Sequence, residues 1–411
     1  MNNLKNTSMN LLIIAPGCGG HHASYLYWIV TEALNREYQI YLAVPTSCLN
    51  NPLFLTLRKL ADHLNRQIVI VTENITTDWQ KNTNLVSLVQ RDFYYYKLFS
   101  RCYYKVCKIT PPDIVIIPYL DCCLHAIALL GSPFKQTPWA GIVMRPSFHY
   151  TKMGIIGPAS QLLWIKEKLF SCLLHNRMLK KLWTIDEPLK HFIDKAYPLL
   201  AERLGYLPDP AEPKSTTNRK QARHALGIQP NVIIILVYGA LSLRKGIAEL
   251  LLAIQASNFP KHIHILLAGN QDEQIRDLLK QPFAQSLLKM KRLHQINYFL
   301  TEEEQYNAFV ASDIVWLGYR QHYTMSGVIV QAGQMGLPII ACKEGLIGWL
   351  TKRYQLGITV DINDKKQIIG AINELIKKVQ EKDYQKNRCH SFISHTPTNF
   401  AMKLFDSLEA R

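Results

Sequence analysis

The chain has 411 residues, of which 48% are hydrophobic and 19% are charged, and its formal net charge is +16. This length exceeds one ordinary hydrophobic core and predicts two domains of roughly 200 residues each, while the composition excludes a disordered or fibrous protein. The excess of basic residues is shared by both halves, which favours an anionic partner: a nucleotide sugar, an anionic membrane surface or a nucleic acid. The sequence contains no nucleic-acid-binding motif, so we expect no nucleic acid partner.

The targeting and cysteine patterns predict a cytoplasmic protein. The start of the chain, MNNLKNTSMN, is polar, and the apolar run at 11–15 is too short to span a bilayer. No other window contains about 18 uninterrupted apolar residues. The nine cysteines show no repeated pair spacing. We therefore expect neither a zinc site nor a disulfide framework, and a reducing compartment.

The first half alternates short apolar runs with helical patterns, starting with a helix at 25–34. This alternation predicts a parallel, doubly wound sheet. The predicted strands are 11–15, 40–44, 68–72, 113–117, 141–144 and 182–185.

The alternation stops at 206–210, YLPDP, and a polar segment follows. This break places a linker here and predicts domains at 1–208 and 209–395, with a last helix within 396–411. The second half then repeats the alternation, so the fold class is α/β with two Rossmann-like units, and we expect a ligand between the carboxyl ends of their sheets. Its predicted strands are 231–238, 263–268, 292–299, 313–317, 337–342 and 358–360.

The segment 323–341, YTMSGVIVQAGQMGLPIIA, predicts a helix that begins at Ser326-Gly327 and a buried strand after it. A Ser-Gly pair at a helix start leaves backbone N–H groups free at the positive end of the helix dipole, where a phosphate binds well. Gln331 follows about one turn later and could hold a hydroxyl. The alternative, of equal weight, is a glycine-punctuated turn without a ligand.

In each half, one glycine-containing loop follows the first predicted strand. In the first, Gly19 and Gly20 end the sequence GCGG, and His21 and His22 follow. Glycines let a backbone approach a ligand closely. The loop is not GxGxxG and no acidic residue ends the second strand, so we expect no NAD, FAD or other cofactor. At most one histidine should face the ligand, and a structural or capping role is the favoured interpretation for each.

The second loop contains Gly239, Arg244 and Lys245 in the sequence GALSLRKG. Two cations directly after a strand could neutralise a diphosphate, and Gly239 would allow its close approach. The alternative is a solvated basic turn.

Three further side chains follow strands of the first half. Asp121 and His125 are four residues apart and would share a helix face if the segment is helical. Either could position a sugar hydroxyl or transfer a proton, and the alternative is a helix cap with a packed histidine. Arg145 ends the fifth predicted strand and is an acceptor-side candidate together with His21, unless it forms a structural salt bridge.

Two basic, aromatic segments at 91–108 and 161–183 predict amphipathic helices. Such helices can lie on anionic lipid. The commoner explanation is a helix with one face packed on the sheet.

The chain as a whole resembles a GT-B glycosyltransferase, and its second half resembles the large retaining "family four" group. The matching features are the glycine loop at 17–20, YLPDP at 206–210, the turn at 239–246, LLAGN at 266–270, ASDIV at 311–315 and GLPIIA at 336–341.

The resemblance implies a nucleotide diphosphate-sugar donor on the second domain, an acceptor on the first, and a final helix that crosses back to the first domain. It implies that Lys245 and the Ser326-Gly327 pair bind the donor phosphates and that Gly19 and Gly20 close over them. It makes Asp121 and His125 the catalytic candidates, because the group has an Asp or His after its fourth strand. No metal site is expected, since fixed cations stabilise the leaving diphosphate.

The chain departs from the group at its signature, two glutamates eight residues apart, where Tyr323 and Gln331 stand. Gln331 can still bind ribose hydroxyls, but Tyr323 supplies no carboxylate. An arginine usual in the group is Ala240 here, and Arg244 is a substitute.

We therefore expect a retaining, metal-independent hexosyltransferase in cell-surface glycan or glycolipid synthesis, with a carbohydrate or lipid-linked acceptor, at the inner face of the membrane. The alternatives are a non-catalytic module that binds a nucleotide, glycan or protein, and a nucleotide-sugar epimerase.

Overall fold

The computed structural model describes residues 9–74, 85–159, 162–211, 217–256, 259–381 and 391–410. The chain forms two compact units. Unit 1 comprises Met1–Met153, Ala159–Pro208 and Pro397–Arg411, and unit 2 comprises Gly154–Pro158 and Asp209–Thr396.

Unit 1 contains a seven-stranded parallel sheet in the order β3-β2-β1-β4-β5-β6-β7. Its central strands are buried along nearly their whole length, as expected where helices cover both faces of a parallel sheet. The strands are β1 (Asn10–Ile14), β2 (Gln39–Pro45), β3 (Ile68–Glu73), β4 (Ile114–Ile117), β5 (Trp139–Val143), β6 (Leu179–Thr184) and β7 (Leu204–Tyr206). The helices are α1 (His21–Asn35), α2 (Pro52–His63), α3 (Leu85–Cys107), α4 (Leu124–Leu130), α5 (Leu163–Leu174) and α6 (Glu187–Ala196).

Unit 2 contains a six-stranded parallel sheet in the order β10-β9-β8-β11-β12-β13. The predicted α/β class with two doubly wound parallel sheets is confirmed. The strands are β8 (Ile233–Tyr238), β9 (Ile263–Ala268), β10 (Leu293–Ile296), β11 (Ile314–Leu317), β12 (Ile339–Cys342) and β13 (Gly357–Val360). The helices are α7 (Arg219–Ala225), α8 (Ile247–Ala256), α9 (Glu273–Leu279), α10 (Pro282–Lys289), α11 (Glu302–Ala311), α12 (Gly327–Gln334), α13 (Gly345–Arg353) and α14 (Lys365–Gln380).

The strand order positions the functional loops. The sheet of unit 1 reverses its winding between β1 and β4, and that of unit 2 between β8 and β11. Doubly wound sheets bind ligands at such switch points, outside the carboxyl ends of the strands. The loops at these ends carry the residues 17–20 and 119–123 in unit 1 and the residues 239–246 and 318–326 in unit 2.

The last helix, α15 (Pro397–Glu409), packs within unit 1. The Phe400 ring lies edge-on to Tyr25 of α1, with centroids 4.9 Å apart. The Trp183 indole N–H donates to Ser407 Oγ over 2.8 Å. Arg36 forms ion pairs with the carboxylates of Asp406 and Glu409. A buried aromatic contact and a cluster of charged hydrogen bonds thus fix the end of the chain to α1 and β6.

The structure differs from the prediction in two elements. The basic helix predicted over 161–183 ends at Leu174, and Lys180 and Lys181 lie in β6. Lys181 extends along the sheet and donates to the Glu202 carbonyl oxygen, so these lysines do not continue a helix face. The short strand β7 was not predicted, because three residues with a central glycine carry no periodicity.

The expectation of no disulfide is also wrong: Cys18 and Cys48 form one, with Cα atoms 5.6 Å apart. Cys18 follows β1 and Cys48 follows β2. The two strands are adjacent and parallel, so their carboxyl ends bring the loops together. The residue spacing alone could not reveal this pairing.

Gly246 offers a test of the packing in unit 2. Its φ is +65°, and a Cβ atom there would lie 2.0 Å from the Gly318 carbonyl oxygen. We expect Gly246→Ala to lower the free energy of unfolding by about 2 kcal/mol or more, because backbone strain and overlap add together. Chemical denaturation would measure this. The control is Gly370→Ala in α14, where a Cβ meets open space; it should be neutral or stabilising by about 0.5–1 kcal/mol. Equal effects of both substitutions would contradict the prediction.

Acid should destabilise unit 2 through a histidine pair. His264 Nδ1 lies 3.0 Å from His294 Nε2 on the neighbouring strand. Burial, followed by the adjacent His294 and Arg292, lowers the pKa of His264 to about 4. Between these pKa values His264 is protonated in the unfolded chain and neutral in the folded protein. The free energy of unfolding should therefore fall as the pH drops from about 6.5 to about 4. Urea unfolding at several pH values tests this, and the slope should flatten in His264→Gln. A slope unchanged by that substitution would contradict the assignment.

Candidate functional site

Lys245 lies at the carboxyl edge of the sheet in unit 2. It ends a short 3-10 turn after β8, and only 6% of its surface is exposed. Its ammonium donates to the Tyr238 carbonyl oxygen over 2.7 Å and to the Tyr319 hydroxyl over 2.9 Å. It also lies 4.5 Å from the centroid of the Tyr319 ring. Since an ammonium has three N–H donors, one donor remains for a ligand.

No carboxylate pairs with Lys245 among the residues that the structure describes. A buried charge without a counter-charge is costly, by several kcal/mol even after relaxation. Gly239, at φ +104°, brings its Cα close to the ammonium, where a Cβ would lie 3.4 Å from Nζ. The arrangement has the electrostatic character of an anion site whose counter-charge comes from a ligand.

The start of α12 supplies further donors. Ser326 is the N-cap and makes no side-chain capping bond, and Gly327 is the first residue of the helix. Uncapped N–H groups at a helix start carry a partial positive charge and bind phosphate or carboxylate oxygens. The structure thus places this predicted pair at a helix start, in the same unit as Lys245.

Gln331 lies in α12 and is 4% exposed. Its side-chain oxygen accepts from Gln305 Nε2 over 2.5 Å, and the Gln305 oxygen accepts from the Tyr238 hydroxyl over 2.6 Å. The Tyr238 carbonyl thus accepts from Lys245, and the Tyr238 hydroxyl donates to Gln305. Gln305 in turn donates to Gln331. The predicted donor residues Lys245 and Gln331 belong to one hydrogen-bonded network.

Glu344 is a candidate that the sequence reasoning missed. It follows β12 and is the N-cap of α13. Its carboxylate hydrogen-bonds the Tyr323 side chain; burial and then this negative charge raise the pKa of Tyr323. The backbone brings the two together, because Leu346 N–H donates to the Tyr323 carbonyl over 2.9 Å. A carboxylate thus stands next to the position where the resemblance requires one. The signal for it is a glutamate two residues after the end of a buried strand.

Arg244 differs from its neighbour Lys245. It is exposed, and its guanidinium lies 3.1 Å from His322 Nδ1. Its carbonyl accepts from the Arg320 N–H over 2.7 Å, which ties the turn to the loop after β11. Arg244 is thus open to solvent, whereas Lys245 is buried and held by two hydrogen bonds.

The glycine loop of unit 1 leaves open space beside its backbone. A Cβ at Gly19 or Gly20 would meet no atom within 4 Å, and Gly20 has a φ of +53°. His21 is the first residue of α1. His22 lies edge-on to Tyr119 with ring centroids 4.2 Å apart. Cys18 is bound to Cys48, and its carbonyl accepts from Asn51 Nδ2 over 3.1 Å, so the loop is tied at one point.

Asp121 and His125 do not share one helix, as the sequence suggested. Asp121 lies in a 3-10 turn that ends at Cys122, and His125 lies in α4. Cys123, with a φ of −141°, separates them. Both Asp121 oxygens accept backbone N–H groups, from Met144 and Arg145, over 2.9 Å each. Burial raises the pKa of Asp121, and these two bonds oppose the rise. Its observed contacts fix the loop after β5.

His125 instead pairs with Asp92 of α3. Its Nδ1 lies 2.8 Å from Asp92 Oδ2, which also accepts the His125 backbone N–H over 3.1 Å. Asp92 is nearly buried, whereas 41% of the His125 side chain is exposed. A carboxylate that holds Nδ1 fixes the ring and leaves Nε2 for a proton. Arg145 is exposed and lies over the Tyr119 ring, 5.5 Å from its centroid.

These side chains of unit 1 line one cavity of about 1300 Å³. Gly17, Cys18 and Gly19 contribute to it from the glycine loop, and Asp121, His125 and Arg145 also line it. The remaining wall is largely apolar and comes from α3, α4, α5 and the residues at the ends of β2 and β5.

Two kinds of feature are absent from the described ranges. They contain no group of three or more His, Cys, Asp or Glu side chains placed to hold a metal ion. Among the helices that the structure describes, none is long and apolar enough to cross a membrane.

Comparison with known proteins gives the fold. Residues 232–378, within unit 2, match the family model "Glycosyl transferases group 1". No curated protein sequence matches the chain. The chain has the GT-B fold: glycosyltransferases of this fold match it over nearly its full length.

Three solved structures illustrate the likeness. HepE of Anabaena, in complex with UDP, has 14% identity and a TM-score of 0.61, over 97% of this chain and 99% of its own. Sucrose-phosphate synthase of Thermosynechococcus elongatus has 14% identity and a TM-score of 0.65, over 97% and 98%. The UDP-GlcNAc 2-epimerase of Neisseria meningitidis, bound to UDP-GlcNAc, has 14% identity and a TM-score of 0.56, over 97% and 99%.

Proposed function

We propose that this protein is a glycosyltransferase that uses a nucleotide diphosphate-sugar donor. The observation that carries the proposal is Lys245, a buried ammonium at a switch point, without a described counter-charge and in one unit with the free helix start at Ser326-Gly327. A diphosphate supplies the missing negative charge. The family match of residues 232–378 covers this region, and the Anabaena neighbour holds UDP.

The donor would be bound by unit 2. Lys245 and the backbone N–H groups at the start of α12 would hold the diphosphate. Arg244 would add a second cation from the surface. Gln331 would donate to a ribose hydroxyl, since its oxygen already accepts from Gln305. Tyr323 and Glu344 would bind the sugar that is transferred.

In the reaction, the bond between the anomeric carbon and the diphosphate oxygen breaks, and an acceptor hydroxyl oxygen bonds to that carbon. The negative charge that develops on the leaving diphosphate is stabilised by fixed cations and N–H groups, so no metal ion is required. The acceptor hydroxyl loses its proton, for which His125 Nε2 is the candidate base. Asp121 would act as a positioning residue for Arg145, and Gly19 and Gly20 would admit the substrate. From the family resemblance we propose retention of configuration.

We propose that the acceptor belongs to a cell-surface glycan or glycolipid and that the enzyme works at the cytoplasmic face of a membrane. The alternatives are a binding module without turnover and an epimerase, which the Neisseria neighbour represents. An epimerase would change the sugar without an acceptor.

The first experiment is a thermal-shift screen with UDP-, GDP-, ADP- and CMP-sugars, followed by assay of nucleotide release from each hit. Stabilisation with slow release of nucleoside diphosphate supports the transferase. Stabilisation without release in a broad acceptor screen indicates a binding module, and a changed sugar indicates an epimerase. If no sugar nucleotide stabilises the protein, the donor site is wrong.

A further inference from the structure

The cavity of unit 1 has an apolar wall that sugar chemistry does not explain. Its volume of about 1300 Å³ exceeds the roughly 300–1,000 Å³ of ordinary small-molecule pockets. The accessible part of the wall includes Ile165 and Leu169 of α5, which are half-buried; behind them lie Leu124, Phe148 and Phe170, which are buried. A polar glycan would leave this surface unmatched, whereas a hydrocarbon chain removes it from water.

The apolar surface continues to the rim of the cavity. Large side chains there line the cavity and are also exposed to solvent, and Leu129 exposes 64% of its surface. They come from α3, α4 and the start of α5, and α4 packs against both other helices. A contiguous exposed apolar patch marks a ligand or membrane contact. The rim residues are Leu88, Val89, Phe93, Leu129 and Leu162.

The charged groups in the cavity leave a positive excess. Asp92 is already paired with Arg91 and His125, and Asp121 accepts the backbone N–H groups after β5. Arg145 and Lys166 line the cavity and make no ion pair with any described residue. A ligand with an apolar chain and an anionic head complements both parts of this surface.

We propose that the cavity binds the hydrocarbon chain of an anionic membrane lipid. The chain lies against the wall of α3, α4 and α5, and the phosphate of the headgroup pairs with Arg145 and Lys166. The bilayer is the source, because the exposed rim would enter the lipid surface when the chain enters the cavity. The inference rests on the proposed function in one respect: the bound lipid would be the sugar acceptor, next to His125.

The chain length of the ligand gives the sharpest test. Dodecyl phosphate and octyl phosphate carry the same head, and burial of each methylene strengthens binding by up to about fourfold. We expect dodecyl phosphate to bind at least about tenfold more tightly than octyl phosphate, measured by calorimetry below their micelle concentrations. Inorganic phosphate should compete only weakly, because it reaches the two cations without the contribution of the chain. Equal affinities for the two chains, or full competition by inorganic phosphate, would reduce the cavity to a simple anion site and overturn the proposal.

Matched variants locate the site. Leu169→Glu in the wall should weaken dodecyl phosphate binding about tenfold or more, because it buries a charge against the chain. Leu199→Glu introduces the same charge at a residue that is 98% exposed and outside the cavity, so binding should not change. Lys166→Glu should weaken binding, and Lys195→Glu, an equal charge change on α6, should not. Unchanged binding in both cavity variants would overturn the assignment, and the melting temperature of each variant shows that it is folded.

Vesicle flotation tests the bilayer as the source. The wild-type protein should float with vesicles that contain phosphatidylglycerol and not with pure phosphatidylcholine, and Leu129→Glu should abolish flotation while Leu199→Glu retains it. Flotation that depends on salt alone and survives Leu129→Glu would mean surface electrostatics only, and would overturn the proposal.

The screen with nucleotide sugars, run on the same preparations, separates the two proposals. If alkyl phosphate binding depends on chain length and no nucleotide sugar stabilises the protein, the lipid site is retained and the proposed transferase function is rejected. A nucleotide-sugar response without chain-length dependence does the reverse.

Discussion

Replacement of Lys245 by methionine should weaken nucleotide diphosphate binding and, at the same time, stabilise the ligand-free protein. The ammonium is buried and lacks a described carboxylate, so its removal relieves a desolvation cost of several kcal/mol and forfeits two hydrogen bonds of about 1–3 kcal/mol together. We expect the ligand-free protein to gain about 1 kcal/mol or more. The affinity for the nucleoside diphosphate should fall by at least about 1.5 kcal/mol, as for a lost charged hydrogen bond.

Calorimetric titration with UDP, or with the diphosphate that stabilises the wild type best, measures the affinity, and urea unfolding measures the stability. Lys289→Met, at an exposed lysine of α10, is the control and should change neither quantity. Unchanged affinity in Lys245→Met would remove this residue from the donor site. Loss of stability would show that the ammonium is compensated without a ligand.

A gain in stability together with a loss of ligand affinity distinguishes a ligand-binding lysine from a structural one. A structural lysine in an ion pair contributes to stability, and its loss leaves a carboxylate unpaired. A lysine whose counter-charge comes from a ligand destabilises the ligand-free protein, and the negative charge of the ligand compensates it on binding. The burial of Lys245 could not be predicted from the sequence, where LSLRKG looks like a solvated basic turn. It follows from the turn after β8, which packs against Tyr319 and Gly318.

The sequence predicted the strands well and the contacts between distant residues poorly. Strands such as β8 and β11 are continuous apolar runs, because both faces of a parallel sheet are covered. The helical spacing of Asp121 and His125 was a local argument, and it failed where Cys123 interrupts the helix. The partners Asp92 for His125 and Cys48 for Cys18 come from other elements, and only the sheet topology brings them together.

The same reason explains how Glu344 was missed. The family resemblance places Tyr323 where a glutamate is usual, and the sequence does not show which other carboxylate lies near that position. In the fold, β12 lies beside β11. The segment after β12 therefore lies beside the loop after β11, and the Glu344 carboxylate reaches Tyr323 from a different strand.

Replacement of Glu344 by glutamine should reduce turnover and spare nucleotide binding. Glutamine keeps the size of the side chain and can still accept from the Tyr323 hydroxyl, so the loop should retain its structure. Only the negative charge is lost, and in the proposed donor complex that charge lies next to the transferred sugar. We expect kcat for nucleotide diphosphate release to fall about 100-fold, the range for a charged group that acts in the transition state, with the nucleoside diphosphate affinity unchanged within about twofold.

Glu374→Gln is the matched control, because Glu374 is an exposed glutamate of α14 whose partner is Lys378. It should leave both quantities unchanged. Tyr323→Phe keeps the ring and removes the hydrogen bond to Glu344, and its effect on kcat should not add to that of Glu344→Gln if the two side chains act as a unit. Full turnover in Glu344→Gln would mean that the Tyr323 position is not rescued by this carboxylate. A loss of affinity equal to the loss of kcat would place Glu344 in the binding of the nucleotide rather than the sugar.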